Sequence, residues 1–205
     1  AGDTAVRMVG SVQHALGRPG KTGIVARDHS YHGSTYLSQS VGKRPGDRVE
    51  EFRYKEDGIW HLTCPDPWRR PEGMTEAGFC EALVAEFEAL IARMVAVCRR
   101  HDILFVADEV VTGFGRLGHW FAAEACFGAM PDIICTAKGL TSGYVPLGAV
   151  IFSDRIWQAM AAGGHRWFTS GLTYSGHPVA AAAALKNIEI IEREGLLEHV
   201  RRIAP

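Results

Sequence analysis

Two short apolar runs, each closing on an ionisable residue, constrain this chain more than any other feature. Ile133-Ile134-Cys135-Thr136-Ala137 ends in Lys138-Gly139, and Ile103-Leu104-Phe105-Val106-Ala107 ends in Asp108-Glu109-Val110. Runs of this length, bounded by turn signals, suit strands covered on both faces. Phe121 to Phe127 between them is predicted to form a short crossover helix. A strand, its crossover and the next parallel strand together take roughly 30 residues, which matches the spacing of Asp108 and Lys138. In an open parallel sheet ligands sit beyond the carboxyl ends of the strands, so amine and acid should point into one cleft.

The rest of the chain repeats that α/β grammar. Residues 3–16 read as a helix stopped by Gly17-Arg18-Pro19-Gly20, and residues 22–27 as a strand that empties into the polar loop Asp28-His29-Ser30-Tyr31-His32-Gly33-Ser34-Thr35. From residue 41 to 74 no period is visible apart from a short extended piece at 50–54. A loop so long is expected to be functional or to cover a partner. Residues 75–100 are predicted as one amphipathic helix, with Phe79, Leu83, Phe87, Leu90, Met94 and Cys98 at spacings of three and four. Gly113, Gly115 and Gly118 have no helix opening directly behind them, so they mark a tight turn rather than a phosphate loop. Residues 147–152 should return as an antiparallel strand, because the link through Thr141 to Tyr144 is too short for a parallel crossover. A helix then runs to Glu194, with Pro178 in its first turn, where the missing N–H costs nothing.

Charge and cysteine usage narrow the function. With 205 residues, 47% of them hydrophobic, and a formal net charge of −1, the chain can bury one sizeable core and has no basic excess for nucleic acid. Five cysteines, odd in number and without a CxxC pair, suit free thiols in a reducing compartment, so a cytoplasmic protein is expected. No apolar run approaches the ~20 residues of a membrane span.

Lys138 has two readings. A lysine at the end of an apolar strand can snorkel to solvent. Alternatively, burial lowers its pKa and frees its lone pair for Schiff-base chemistry. Asp108 bears on the choice. A pyridoxal 5′-phosphate site needs a lysine to hold the aldehyde and an acid to keep the pyridine nitrogen protonated, and a strand-end pair one crossover apart meets that need. Tyr31 can be a packed loop aromatic or can stack on a flat ring. His29, His32 and Asp28 lack the further ligands that a metal site requires. Thr173, Ser175 and Gly176 can cap the helix after Pro178 or bind an anion at its start.

Taken together, SYHGST, DEVVTGFGRLG, PDIICTAKGLTSGYVPLGAV and GLTYSGHPVAAAAAL resemble the class III aminotransferases, the ω-transaminase group of fold-type-I pyridoxal-phosphate enzymes. The resemblance implies an α/β large domain with a mostly parallel sheet, one antiparallel strand and helices on both faces. It implies that Lys138 is the Schiff-base lysine and also moves a proton between the substrate α-carbon and the cofactor. Asp108 partners the pyridinium nitrogen, Val110 and Tyr31 cover the two ring faces, and His32 joins Tyr31 among the cofactor contacts. Thr173 reaches across a homodimer to the other subunit's cofactor phosphate. Val111 stands where many relatives have glutamine, as in the transaminases that use pyruvate with amines or β-amino acids. The implied reaction moves an amino group from an amine or ω-amino acid to a keto acid such as pyruvate, ping-pong through pyridoxamine phosphate. An aminomutase on the same scaffold and a catalytically silent dimerising fragment are the alternatives. Family members are roughly twice this long, beyond what one core usually serves. The N-terminal segment, the phosphate-holding glycine-serine turn and the C-terminal small domain are therefore expected outside residues 1–205. A further segment, a strand and a glutamate-proline motif, is expected to be missing at Ile91-Ala92.

Overall fold

The computed structural model describes residues 1–49, 51–62, 71, 73–162 and 168–204. Helix α1, Gly2–Ala15, buries Ala5, Met8 and Val12 along one face, at the three- and four-residue spacing that aligns side chains on a helix. Its end is a Schellman motif. Gly17 takes φ +73°, and the Arg18 and Gly17 amides donate back to the Gln13 and His14 carbonyls at 2.8 and 3.0 Å. Strand β1, Ile24–Arg27, follows, and then α2, Tyr36–Val41.

Strand β2, Ile59–Leu62, lies inside the stretch expected to be a loop, and it pairs parallel with β1 from Ile24↔Ile59 to Arg27↔Leu62. Only four residues alternate there, too few for periodicity to register against the polar sequence around them. The expected extended piece at 50–54 is not a strand: residues 51 and 52 form a turn, and Glu50 lies outside the described residues.

Helix α3, Glu76–Arg100, is unbroken and runs through Ile91-Ala92 as one helix. The Thr75 hydroxyl caps it by accepting from the Gly78 amide at 3.1 Å. The side chains of Leu83, Phe87 and Leu90, which set the expected apolar stripe, lie outside the described residues. Strand β3, Val106–Asp108, is shorter than predicted, because Phe105 and Asp132 form a closed pair ahead of it. The Phe105 amide donates to the Asp132 carboxylate at 2.9 Å, while its carbonyl accepts from the Asp132 amide at 2.9 Å.

The crossover helix α4, Ala122–Ala125, leads to β4, Ile133–Thr136, which is parallel to β3 with Asp108 opposite Cys135. Strand β5, Ala149–Phe152, returns antiparallel to β4, as the short link requires. Helices α5, Asp154–Ala161, α6, Pro178–Arg193, and α7, Leu196–Ile203, complete the described elements.

The core sits where α1 and α5 cover one face of β4. Ala5, Met8 and Val12 meet Leu104, Ile133, Cys135 and Ile156 there. Ile134 points the other way, toward Phe121, Ala123 and Met130 beside α4, so β4 is covered on both faces as its uninterrupted apolar run implies.

Among the described residues the expected single sheet is instead two, β1-β2 and β3-β4-β5. Side chains and loop ends, not a strand ladder, tie β1 to β3. Ahead of the strands, Lys21 Nζ donates to the His101 and Asp102 carbonyls at 2.8 and 3.1 Å. Beyond them, His32 meets Asp108.

Candidate active site

The carboxyl ends of β1, β3 and β4 carry the residues that the sequence singled out. Asp108 closes β3, and because it stands opposite Cys135 in a parallel pair, Lys138 follows three residues beyond the same level on β4. Acid and amine therefore leave the same end of adjacent strands, as expected. Asp108 Oδ1 accepts from the Val110 amide at 3.2 Å, and Oδ2 lies 2.7 Å from His32 Nδ1. That contact brings the loop after β1 onto the end of β3. A carboxylate held from two directions in this way keeps one orientation while about 29% of its side chain stays open to solvent.

Of the two readings of Lys138, the structure matches the side chain that reaches solvent and not the desolvated amine: the residue is exposed. It opens a 3₁₀ turn, Lys138–Leu140, at φ +32°, a left-handed conformation that is uncommon for any residue but glycine, asparagine or aspartate. The turn sets the backbone from which the lysine side chain leaves. Gly139 backs onto the Gly113-Phe114 turn so closely that a Cβ there would stand 3.0 Å from Phe114 Cβ and 3.2 Å from the Gly113 carbonyl oxygen. Behind it, Leu140 and Thr141 are buried, and the Thr141 hydroxyl donates to the Val145 carbonyl at 2.6 Å. Among the described residues, the Lys138 amine makes no hydrogen bond or ion pair.

The second acid of the pair has a different task. Glu109 is buried, and its carboxylate accepts from the Ala122 and Ala123 amides at 3.1 and 2.6 Å and from the Thr112 hydroxyl at 2.5 Å. It therefore caps α4 and pins the glycine-rich turn, and both tasks hold Gly113 and Phe114 against Gly139. Gly113, Gly115 and Gly118 form that turn, and the next helix opens only at Ala122. Gly115 and Gly118 adopt φ of +92° and +77°.

Tyr31 hydrogen-bonds Ser34 through its hydroxyl at 2.9 Å, and the Arg44 guanidinium lies 4.4 Å from its ring centroid, which leaves the opposite ring face for another group. Val110 is half-buried and packs against the α1–β4 core. Thr173 is exposed in the loop ahead of α6, and no described contact ties it to Lys138 or Asp108. Cys98, Cys126 and Cys135 are free thiols. Burial, and then the charge of Asp108, pushes the Cys135 thiol up to about 11.

Sequence reasoning missed Asn187, on α6. Its Nδ2 donates to the Gly139 and Leu140 carbonyls at 2.8 and 3.2 Å, and its Oδ1 accepts from the Ser142 hydroxyl at 2.7 Å. One signal was available: an asparagine amid Ala, Leu and Ile in a helix interior is a poor helix former that needs a tertiary reason.

The arrangement of strands and helices that places these residues is shared by solved structures. The ω-transaminase from Pseudomonas jessenii in complex with PMP superposes with TM-score 0.79 at 34% identity, over 96% of this chain and 50% of that one. An amine transaminase from an uncultivated Pseudomonas species, in its PLP-bound (internal aldimine) form, matches with TM-score 0.78 at 33% identity, over 95% and 51%. The fold is that of the fold-type-I transaminases. The class III aminotransferase family profile covers residues 76–205, and the chain belongs to that family. Among curated relatives, gamma aminobutyrate transaminase 3, chloroplastic, of Solanum lycopersicum is 35% identical over 100% of this chain and 45% of its own length. Vanillin aminotransferase of Capsicum frutescens is 35% identical over 100% and 51%. The chain spans about half the length of the curated relatives it matches.

Proposed function

We propose that this chain is part of a pyridoxal-phosphate-dependent aminotransferase that moves an amino group from an amine or ω-amino acid to a keto acid such as pyruvate. One observation carries the reading: Asp108 and Lys138 leave the same end of paired parallel strands, with Asp108 already oriented by His32. When bound, the cofactor supplies an aldehyde that takes up the amino group and a ring that draws electrons from the substrate α-carbon. Lys138 holds that aldehyde and then carries the proton at the α-carbon. Asp108 accepts a hydrogen bond from the ring nitrogen and keeps it protonated. His32 holds Asp108, the free face of Tyr31 and the side chain of Val110 cover the ring, and Thr173 meets the phosphate of a second subunit. The named relatives are aminotransferases, which favours this reaction over an aminomutase or a silent fragment.

A homodimer fits the surface. Tyr144, Leu172, Tyr174 and Leu185 are 69% to 87% exposed, large apolar side chains that a second subunit could cover. A cytoplasmic site remains part of the proposal; among the described residues no helix is long and apolar enough to cross a membrane.

The large domain is proposed to extend beyond this chain. The tomato relative aligns over 238 positions although this chain has 205 residues, so that relative carries residues within the matched region that this chain lacks. A strand missing near Ile91-Ala92 would account for the separation of β1 from β3. Sequencing the transcript across those codons tests the proposal; an uninterrupted reading identical to this one sinks it.

For the function itself, the chain is mixed with pyridoxal 5′-phosphate. A lysine-dependent visible band is expected, absent in Lys138→Ala, together with alanine formed from pyruvate and an amine. Wild type without the band overturns the assignment.

A further inference from the structure

We infer that Asn187 is a positioning residue for the proposed lysine chemistry, clamping the turn that aims Lys138. The inference rests on Lys138 being the reactive amine.

The turn closes on one firm bond of its own, from the Leu140 amide to the Ala137 carbonyl at 2.8 Å, and loosens after it. Within it, the Thr141 amide reaches the Lys138 carbonyl at 3.3 Å and the Ser142 amide the Gly139 carbonyl at 3.4 Å, both long for N–H···O bonds. Three nearby residues, Lys138, Ser142 and Gly143, take positive φ of 32°, 50° and 81°. Two of these are not glycine, so the backbone returns to ordinary conformations unless its surroundings over-determine it. Asn187 does so from outside. A single amide group takes the Gly139 and Leu140 carbonyls with its N–H₂ and the Ser142 hydroxyl with its oxygen, joining the start and the end of the turn. Asn187 stands on the 16-residue α6, whose Ala180, Ala184 and Ile191 are buried, so the clamp is mounted on a rigid element. From the opposite side the Gly113-Phe114 turn blocks Gly139. The lysine backbone is therefore gripped between a helix amide and a loop, which suits an amine that must be aimed without being buried.

The test separates aiming from general integrity. Wild type and variants, as the full chain, are incubated with pyridoxal 5′-phosphate. The Lys138 nitrogen becomes bonded to the aldehyde carbon with loss of one water, borohydride reduces that bond, and peptide mapping locates it. Pyridoxine 5′-phosphate, which has an alcohol in place of the aldehyde and cannot condense, measures binding alone. In Asn187→Ala, trapping at Lys138 should slow about tenfold or more while pyridoxine 5′-phosphate affinity stays within about twofold. Asn187→Asp keeps an acceptor for Ser142 but turns an oxygen toward two carbonyls, so it should lose at least as much. Ser142→Ala keeps both carbonyl bonds and should lose less. Equal trapping rates in wild type and Asn187→Asp overturn the inference, and so does a parallel loss of trapping and analogue binding. Should Asn187→Ala fail to fold, the Asp and Ser142 variants decide. Wild type that is never trapped at Lys138 removes the reading of Lys138 itself, and this inference with it.

Discussion

His32 Nδ1 lies 2.7 Å from Asp108 Oδ2, and through this contact the loop after β1 reaches the end of β3, although the two strands share no ladder. It gives Asp108 a second hold beyond the Val110 amide. His32→Leu should therefore weaken pyridoxal 5′-phosphate binding by about tenfold to a hundredfold, the range for losing a hydrogen bond to a charged group. Asp108→Ala should weaken it further. Titration by visible absorbance reads both, and an affinity unchanged in His32→Leu would show that the contact is incidental.

Glu109 predicts a loss of stability rather than of chemistry. Removing its carboxylate strands the Ala122 and Ala123 amides in a buried setting. Glu109→Ala should cost about 2–4 kcal/mol, and Glu109→Gln, which keeps one acceptor oxygen, clearly less. Urea unfolding measures this; a change in Glu109→Ala below about 0.5 kcal/mol would contradict the capping role.

Cys135 sets a pH dependence. Burial, and then the neighbouring Asp108, raises its thiol from 9.0 to about 11. The folded chain thus keeps a proton that the unfolded chain gives up, so unfolding releases a proton and rising pH favours it. The stabilising difference is fully present below pH 9 and is lost as pH climbs through about 11. Relative to Cys135→Ala, wild type should lose about 2–3 kcal/mol over that window. Native Cys135 should also resist alkylation at pH 8. Rapid labelling, or parallel stability curves for the two proteins, would count against this.

Gly139→Ala probes the other side of the lysine turn. A methyl there meets Phe114 Cβ at 3.0 Å and the Gly113 carbonyl at 3.2 Å, so one turn must move. A stability cost of about 1–3 kcal/mol is expected, with slower trapping of Lys138 by pyridoxal 5′-phosphate and borohydride. Wild-type trapping in a fully folded variant would mean that the turn tolerates displacement.

The elements that carry the chemistry are legible in the order of the residues. The apolar runs before Asp108 and Lys138 have one economical arrangement, parallel strands joined by a short crossover, and the brief link after Thr141 forces β5 to return antiparallel. Local pattern suffices there because strand burial, turn length and helix spacing are written in neighbouring residues. What those side chains meet depends on how the packed elements come together, and the folded chain supplies it. It divided the two adjacent acids, giving Asp108 to His32 and Glu109 to a helix cap, and it left Lys138 open to solvent at the start of a left-handed turn. It also brought Asn187 to that turn from 48 residues further along the chain. No sequence period encodes such a contact, because it depends on where two packed elements come to rest against each other.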